Sequence, residues 1–255
     1  VKIIIYTANI GNYDIVDLPE FKKDNPDITF ILFTTNTRFR SDDWEVRYVQ
    51  SPHLINKDNQ RVARYFKLQP HKVLPPHDIN IWFDSCLSLK IANYKKFIKL
   101  NLLDRNLDMV SYRHPKRSCL YDEGIACMNQ GLDNGIRIKK QMERYRKELF
   151  PKNSGLFDTG FLIRHNTPKM TEFNDAWYKE LMEGSKRDQL SHSYVLWKTK
   201  IAIASYIKGA RKGNSPYLKK RKHIISRKKI KNKPKRGKED IRVMNRIIAY
   251  KMRNR

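Results

Sequence analysis

Short apolar runs alternate with longer stretches of helical spacing along this chain. Ile3-Ile4-Ile5-Tyr6-Thr7-Ala8 and Asp27 to Thr35 are rich in β-branched and aromatic residues and are bounded by polar, turn-forming segments. They read as buried strands, the first followed by a polar loop, Asn9 to Asp14. Trp44 to Val49 alternates apolar with polar residues and predicts a shorter, half-exposed strand. Asp58 to Gln69 follows the helical period instead. Val62, Tyr65, Phe66 and Gln69 share one face there, Asp58 is placed to cap the N-terminus, and Pro70 is expected to stop the helix. Pro75-Pro76 then turns the chain into Ile79-Asn80-Ile81-Trp82-Phe83-Asp84-Ser85-Cys86-Leu87-Ser88-Leu89. That run is apolar up to a carboxylate and continues with alternating apolar residues.

The alternation persists downstream. Tyr94 to Leu103 predicts a helix and Leu107 to Tyr112 a strand. Residues 122–149 predict a long charged helical region, broken near Gly131 to Gly135. Leu156 to Arg164 reads as a Gly-containing strand, and Lys169 to Glu183 as an amphipathic helix with Phe173, Trp177 and Leu181 on one stripe. Arg187 opens a further helix through Trp197, with Asp188 as a candidate cap, and Ile201 to Ile207 predicts a last strand. Strands alternating with helices imply an α/β fold with a largely parallel sheet covered on both faces. Open sheets of this kind place ligands at the C-terminal ends of their strands, which makes Asp84 the first candidate for chemistry.

Charge divides the chain in two. The net charge of +27 is uneven: residues 201–255 hold 20 Lys+Arg against 2 Asp+Glu, and residues 1–200 hold 33 against 24. Residues 1–205 therefore read as a mildly basic globular domain, and residues 206–255 as a basic appendage. The appendage contains the runs Lys219 to Lys222 and Arg227 to Lys229, a polar linker, and a short amphipathic helix over residues 239–253. On this reading a chain cut at Lys208 keeps its ligand site. Such charge attracts nucleic acid and anionic membrane surfaces alike, and an amphipathic helix with a basic polar face suits peripheral docking. A nucleic-acid-associated role is thus one functional reading, although the domain shows no helix-turn-helix, zinc-finger or RNP-type motif. The three cysteines, Cys86, Cys119 and Cys127, form no C-x-x-C pair. Their odd number argues against a disulfide framework or structural zinc and favours a reducing compartment. The expected location is cytoplasmic, peripheral to a membrane where the tail docks. No segment approaches the roughly 18 apolar residues needed to span a bilayer.

A set of motifs in fixed order carries a resemblance. Lys67-Leu68, a Pro-rich turn, the strand and Asp84-Ser85-Cys86 resemble the order Arg-Leu, turn, strand, Asp-x-Asp of the glycogenin and bacterial galactosyltransferase group of GT-A enzymes. Leu156 to Leu162 is similar to that group's Asn-Ala-Gly strand, and Asp188-Gln189 to its Asp-Gln-Asp motif. A closer resemblance is to a family of GT-A glycosyltransferases of plants and microbes, first catalogued as a domain of unknown function. Tyr6 to Asp14, Trp82-Phe83-Asp84 and Arg187 to Ser191 carry it. It covers roughly residues 1–200 and implies a GT-A-like, Rossmann-type sheet, mostly parallel and flanked by helices, with the basic C-terminal appendage outside it.

The activity implied is transfer of a sugar from a nucleotide diphosphate sugar to a hydroxyl of a glycan or glycoconjugate. Such a reaction must neutralise the leaving diphosphate and orient the acceptor hydroxyl. The resemblance puts Thr7, Ala8, Asn9 and Tyr13 around the nucleoside, and Lys67 with Arg64 at the diphosphate or donor sugar. It puts Asp84 at a metal or ribose, and Asp158 with Asp188-Gln189 at the sugar hydroxyls or the acceptor. It also implies a divalent cation, Mn²⁺ or Mg²⁺. Cys86 replaces the second acid of Asp-x-Asp, however, and hard cations prefer oxygen. No late His-x-x-Gly-x-x-Lys-Pro-Trp segment is found, and His223 is the remaining late imidazole. A catalytically inactive relative that binds nucleotide or glycan is therefore another reading.

Each of these residues also has a plainer role. Thr7 to Asp14 can be a turn after a strand, Arg64 and Lys67 can solvate a helix, and Asp158 can sit in a turn or bulge beside Gly160. Asp188 can cap its helix. His114, Arg117 and Glu123 read either as an acceptor-side polar cluster, with Glu123 a candidate base, or as a surface loop.

Overall fold

The computed structural model describes residues 1–17, 20–50, 58–205 and 215–221. Strand β1 (Ile3–Asn9) pairs in parallel with β2 (Ile28–Thr34), and β2 with β3 (Glu45–Tyr48). Helix α1 (Asn59–Leu68) follows, with Asp58 accepting from the Gln60 N–H as the sequence predicts. The helix ends at Leu68, before Pro70 as expected, and Gln69 at φ -122° and ψ 49° breaks the helical path; Pro70 then has a second role. It opens a one-turn helix, α2 (Pro70–Val73), at its first position, where proline's missing N–H costs nothing.

The run from Ile79 to Leu89 is two strands. β4 (Ile79–Phe83) lies parallel to β1, while β5 (Leu87–Leu89) leaves the large sheet after a turn closed by Leu87 N–H on the Asp84 carbonyl, 2.8 Å. Helix α3 (Tyr94–Ile98) continues into a wider π-type turn, Lys99–Leu103, and leads to β6 (Met109–Arg113). The predicted break near Gly131 separates α4 (Leu120–Asn129) from α5 (Gly135–Lys147). Gly131 takes φ +62° there, its N–H bonds the Met128 carbonyl, and Leu132 N–H bonds the Cys127 carbonyl. That pairing is a Schellman stop, which a glycine adopts without strain. β7 (Phe157–His165), α6 (Pro168–Glu183), α7 (Gln189–Thr199) and β8 (Ile203–Ser205) complete the order.

The seven-stranded sheet has the order β3-β2-β1-β4-β7-β6-β8, and β7 alone runs against its neighbours. Successive strand residues point to opposite faces, so each apolar run feeds two cores. Ile4, Tyr6, Phe33, Trp82 and Leu162 pack under α1, α4, α5, α6 and α7. Ile3, Ile5, Phe30, Ile81 and Phe161 pack against α3, Trp44 and Leu87. The α/β fold with a mostly parallel, helix-flanked sheet is the one the sequence predicts.

Residues 215–221 behave unlike a solvated appendage. β9 (Leu218–Lys220) pairs antiparallel with β5, and Leu218 is 1% exposed. The rest of the basic segment, including His223 and the helix expected over 239–253, lies outside the described residues, as do residues 206–214. Cys86, Cys119 and Cys127 are buried and none is in a disulfide. Among the described residues no helix is long and apolar enough to cross a membrane.

Candidate active site

The C-terminal ends of β1 and β4, the start of α1 and the segment entering α7 enclose a cleft of about 520 Å³. Its floor is a four-residue charge cluster. Arg64 and Lys67 lie three apart on α1 and so share a face turned toward the end of β4. Lys67 is 0% exposed, and its ammonium donates to Asp188 Oδ2, to Thr159 Oγ1 at 3.2 Å and to Asp84 Oδ1 at 3.4 Å. These three acceptors match its three N–H groups. Thr159 donates onward to Asp188 Oδ2 at 2.8 Å, and Arg64 Nε lies 3.0 Å from Asp188 Oδ1. Trp82 Nε1 donates to Asp84 Oδ1 at 3.0 Å, with Arg64 Nη1 3.8 Å from the same oxygen.

Asp188 stands at the N-cap position just before its helix, but its carboxylate caps nothing and is spent on α1 instead. Burial pushes Asp188 up, yet the Arg64 and Lys67 charges outweigh it and hold the carboxyl well below the usual range. Burial likewise lowers Lys67, against the opposing pull of Asp188 and Asp84.

The sequence-predicted residues separate by position. Ala8, Asn9, Tyr13, Arg64, Asp84, Asp188 and Gln189 line the cleft. Asn9 spends its amide on the loop that follows β1, donating to the Asp14 carbonyl at 2.6 Å and accepting from Asp14 N–H at 3.2 Å. Tyr13 is 44% exposed at the rim. Gln189 donates to the Phe157 carbonyl at 3.2 Å. Lys67 lies just beneath the floor. Thr7 does not line the cleft; its hydroxyl donates to the Phe83 carbonyl at 2.7 Å and fastens β1 to β4. Asp158 does not line it either. Its Oδ1 accepts from Gly160 N–H at 2.9 Å, where the β6–β7 register shifts, which is the bulge role its glycine neighbour suggested.

Other residues of the site escaped the sequence reading. Ser85 donates to Asp14 Oδ2, joining the β4 turn to the loop after β1. Gly11, at φ +72°, brings that loop onto α1; a Cβ there would meet Asn59 Nδ2 at 2.2 Å. Thr159 is the buried hydroxyl that links Lys67 to Asp188. Lys220 of β9 lines the cleft from a segment assigned to the tail.

The cluster at His114 and Glu123 also forms. Arg117 pairs with Glu123 Oε2, and Cys127 Sγ lies 3.5 Å from Glu123 Oε1. His114 Nδ1 accepts from Arg117 N–H at 3.1 Å, which leaves its Nε2 to carry the proton, 3.7 Å from Glu123. Burial and the adjacent Glu123 carboxylate push the Cys127 thiol up to about 12.

The residues around Asp84 do not fit a divalent cation. Asp84 Oδ1 already accepts from Trp82 and Lys67 and faces the Arg64 guanidinium, so positive charge stands where a metal would bind. The neighbouring position that would supply an oxygen ligand is the buried Cys86. Among the described residues no group of three or more His, Cys, Asp or Glu could hold a metal ion.

Sheet order, the single reversed strand and a cleft at the strand ends define a GT-A-like α/β protein. The chain belongs to the family described as TOD1/MUCI70, glycosyltransferase-like domain, which it matches over residues 2–211. This bears out the resemblance carried by Tyr6 to Asp14, Trp82 to Asp84 and Arg187 to Ser191. A relative, the probable hexosyltransferase MUCI70 of Arabidopsis thaliana, is 26% identical over 160 residues, 60% of this chain. The match spans 27% of that relative's length. Among solved structures, mouse xyloside xylosyltransferase 1 in its apo form aligns with a TM-score of 0.43 at 8% identity, covering 80% of this chain and 84% of its own. The galactosyltransferase LgtC, in complex with donor and acceptor sugar analogues, aligns with a TM-score of 0.44 at 12% identity, covering 80% and 72%.

Proposed function

We propose that this domain transfers a hexosyl unit from a nucleotide diphosphate sugar to a hydroxyl of a glycan or glycoconjugate. The observation that carries the reading is the cleft at the ends of β1 and β4, floored by Arg64 and Asp84, in a chain of a glycosyltransferase-like family. That the plant relative is described as a probable hexosyltransferase supports the hexosyl choice.

As the donor's glycosidic bond breaks, negative charge builds on the leaving diphosphate. A fixed cation stabilises that charge without reorganising. Arg64 reaches the cleft and is held in place by Asp188; Lys67 in turn positions Asp188 and Asp84 from beneath. Ala8 and Tyr13 offer a wall for the nucleoside. Asp84 and Gln189 present acceptors to ribose or sugar hydroxyls. Asp188, locked between two cations and strongly acidic, is a poor base and serves as a positioning residue. On this reading the cations that line the cleft, Arg64, Lys186, Arg187 and Lys220, supply the positive charge for donor binding in place of a divalent metal.

A thermal-shift panel of UDP, GDP, CMP and TDP, each with Mn²⁺ or with EDTA, tests this. One nucleotide at about 100 times its Kd should raise Tm by roughly 5–10 °C, equally in EDTA. No shift with any of them overturns the donor reading, and a shift abolished by EDTA overturns the metal-free part. Asp84→Ala should stay folded and lose about 100-fold or more in transfer rate; full activity would remove Asp84 from the mechanism.

A further inference from the structure

We propose that Lys220, carried on the C-terminal strand β9, is a diphosphate-gripping cation of the cleft. The inference deepens the nucleotide-sugar reading and rests on it. Lys220 lies beyond residues 2–211, so the family match says nothing of its role.

The position of Lys220 is built, although it lies far along the chain from Asp84. In the β5–β9 pair Lys220 stands opposite Leu87. Arg221 N–H donates to the Cys86 carbonyl at 2.8 Å, and Arg221 Nη2 to the Ser85 carbonyl at 3.1 Å. The Arg221 guanidinium also pairs with Asp17. On the other side of Lys220, the Tyr217 carbonyl accepts from Lys90 N–H at 2.8 Å, and the Tyr217 ring lies 4.8 Å from that of Phe97. The two residues that follow Asp84 are thus bonded directly to the residue that follows Lys220.

Strand alternation then aims the side chain. Leu218 and Lys220 point to the same face of β9, and Leu218 is buried in the core. Lys220 extends that inward face to where the core gives way to the cleft, while Lys219 points the other way and does not line it. Of the other cations that line the cleft, Arg187 lies 3.5 Å from Gln189 Oε1, and the remaining two face acids. Arg64 faces Asp188, and Lys186 Nζ donates to Asp58 Oδ2 at 2.6 Å. Lys220 is exposed and makes no ion pair among the described residues. An ammonium on a flexible stem, delivered to the cleft wall and without an ion pair among the described residues, suits phosphate oxygens. Arg64 on the floor and Lys220 on the wall would then hold the diphosphate between them.

The test uses the full chain and measures binding of UDP, GDP and TDP and of uridine, guanosine and thymidine by calorimetry. Lys220→Ala should weaken the diphosphate that wild type binds by about tenfold and leave the matching nucleoside unchanged. Lys220→Arg should retain most of the affinity, and Lys219→Ala all of it. Unaltered diphosphate affinity in Lys220→Ala overturns the proposal. So does an equal loss in Lys219→Ala, which marks a general field, or an equal loss of nucleoside, which marks a structural role. If wild type binds no nucleoside diphosphate, the donor reading falls and this one with it; if wild type binds and Lys220→Ala binds equally well, only this inference falls.

Discussion

A lysine with no exposed surface is tolerable when every ammonium hydrogen meets an acceptor and a charge opposes its own. Lys67 meets both conditions through Asp84, Thr159 and Asp188. Removing the Asp188 charge leaves Lys67 with Asp84 as its remaining acid in the cluster. Asp188→Asn should therefore lower the urea-unfolding free energy by about 3–5 kcal/mol. The double change Lys67→Met with Asp188→Leu should recover much of that loss, because it removes the cluster's two most buried charges together and leaves Arg64 facing Asp84. An Asp188→Asn variant with the wild-type urea midpoint would contradict the pairing. Much of this was legible. Lys67, Asp84 and Asp188 are singled out by motif order, and the structure brings them together. Thr159 was not legible, because it sits beside a more conspicuous acid, Asp158. Strand alternation sends one of two adjacent residues to the cluster and the other to the bulge, and motif order does not say which. Asp188 as a helix cap was the plainer reading, and it lost because its carboxylate is spent on Lys67 and Arg64.

Among the elements, hydrophobic period located strands and helices well, since each apolar run must find a face to bury. It was weakest where composition misled. The segment around β9 is rich in lysine and reads as tail, yet backbone pairing seats it together with Leu218, the Tyr217 ring and the Arg221 guanidinium. Seating by backbone bonds leaves no trace in side-chain pattern. A chain ending after residue 214 loses the partner of β5, uncovers Leu87 and Leu89, and forfeits the burial of Leu218, worth about 1.5–3 kcal/mol. Its Tm should fall by several degrees and its diphosphate affinity should drop, whereas a chain ending after residue 221 keeps both. This reverses the expectation drawn from composition for a cut at Lys208. Equal melting temperatures and affinities for the two truncations, compared by calorimetry, would return β9 to the tail.

For the whole molecule, acid sensitivity follows from how the helical layer packs on the sheet. His192 is fully buried against Phe157, Phe173 and Trp177, with ring centroids 5.7, 5.8 and 4.6 Å away. Neither ring nitrogen has a hydrogen-bond partner among the described residues. Burial drops its pKa to about 3, so the folded protein keeps it neutral while the unfolded chain protonates it near the ordinary histidine value. The unfolded state thus binds the extra proton as pH falls, and stability is lost from about pH 6.5 downward. From pH 7 to pH 5 this one residue should cost about 2 kcal/mol. His192→Leu should lose that much less over the same interval in urea titrations, and identical losses in the two proteins would refute the assignment. Burial also lowers His71 and His77, so some acid slope should remain in the variant. At this scale the sequence showed a mostly parallel sheet but not the reversal of β7, since pairing direction depends on which strands meet.

The late arrival of β9 also sets an order in time. A ribosome delivers the large sheet by Ser205, but the wall bearing Lys220 is secured by a bond that spans 136 positions, from Arg221 back to Ser85. At typical elongation rates the residues from Ser205 to Arg221 take roughly one to three seconds to make. During that interval a nascent chain has its sheet and an open-sided cleft. Tight ligand capture would then mark a chain made past this strand, and messages cut short before it would yield folded but weakly binding products.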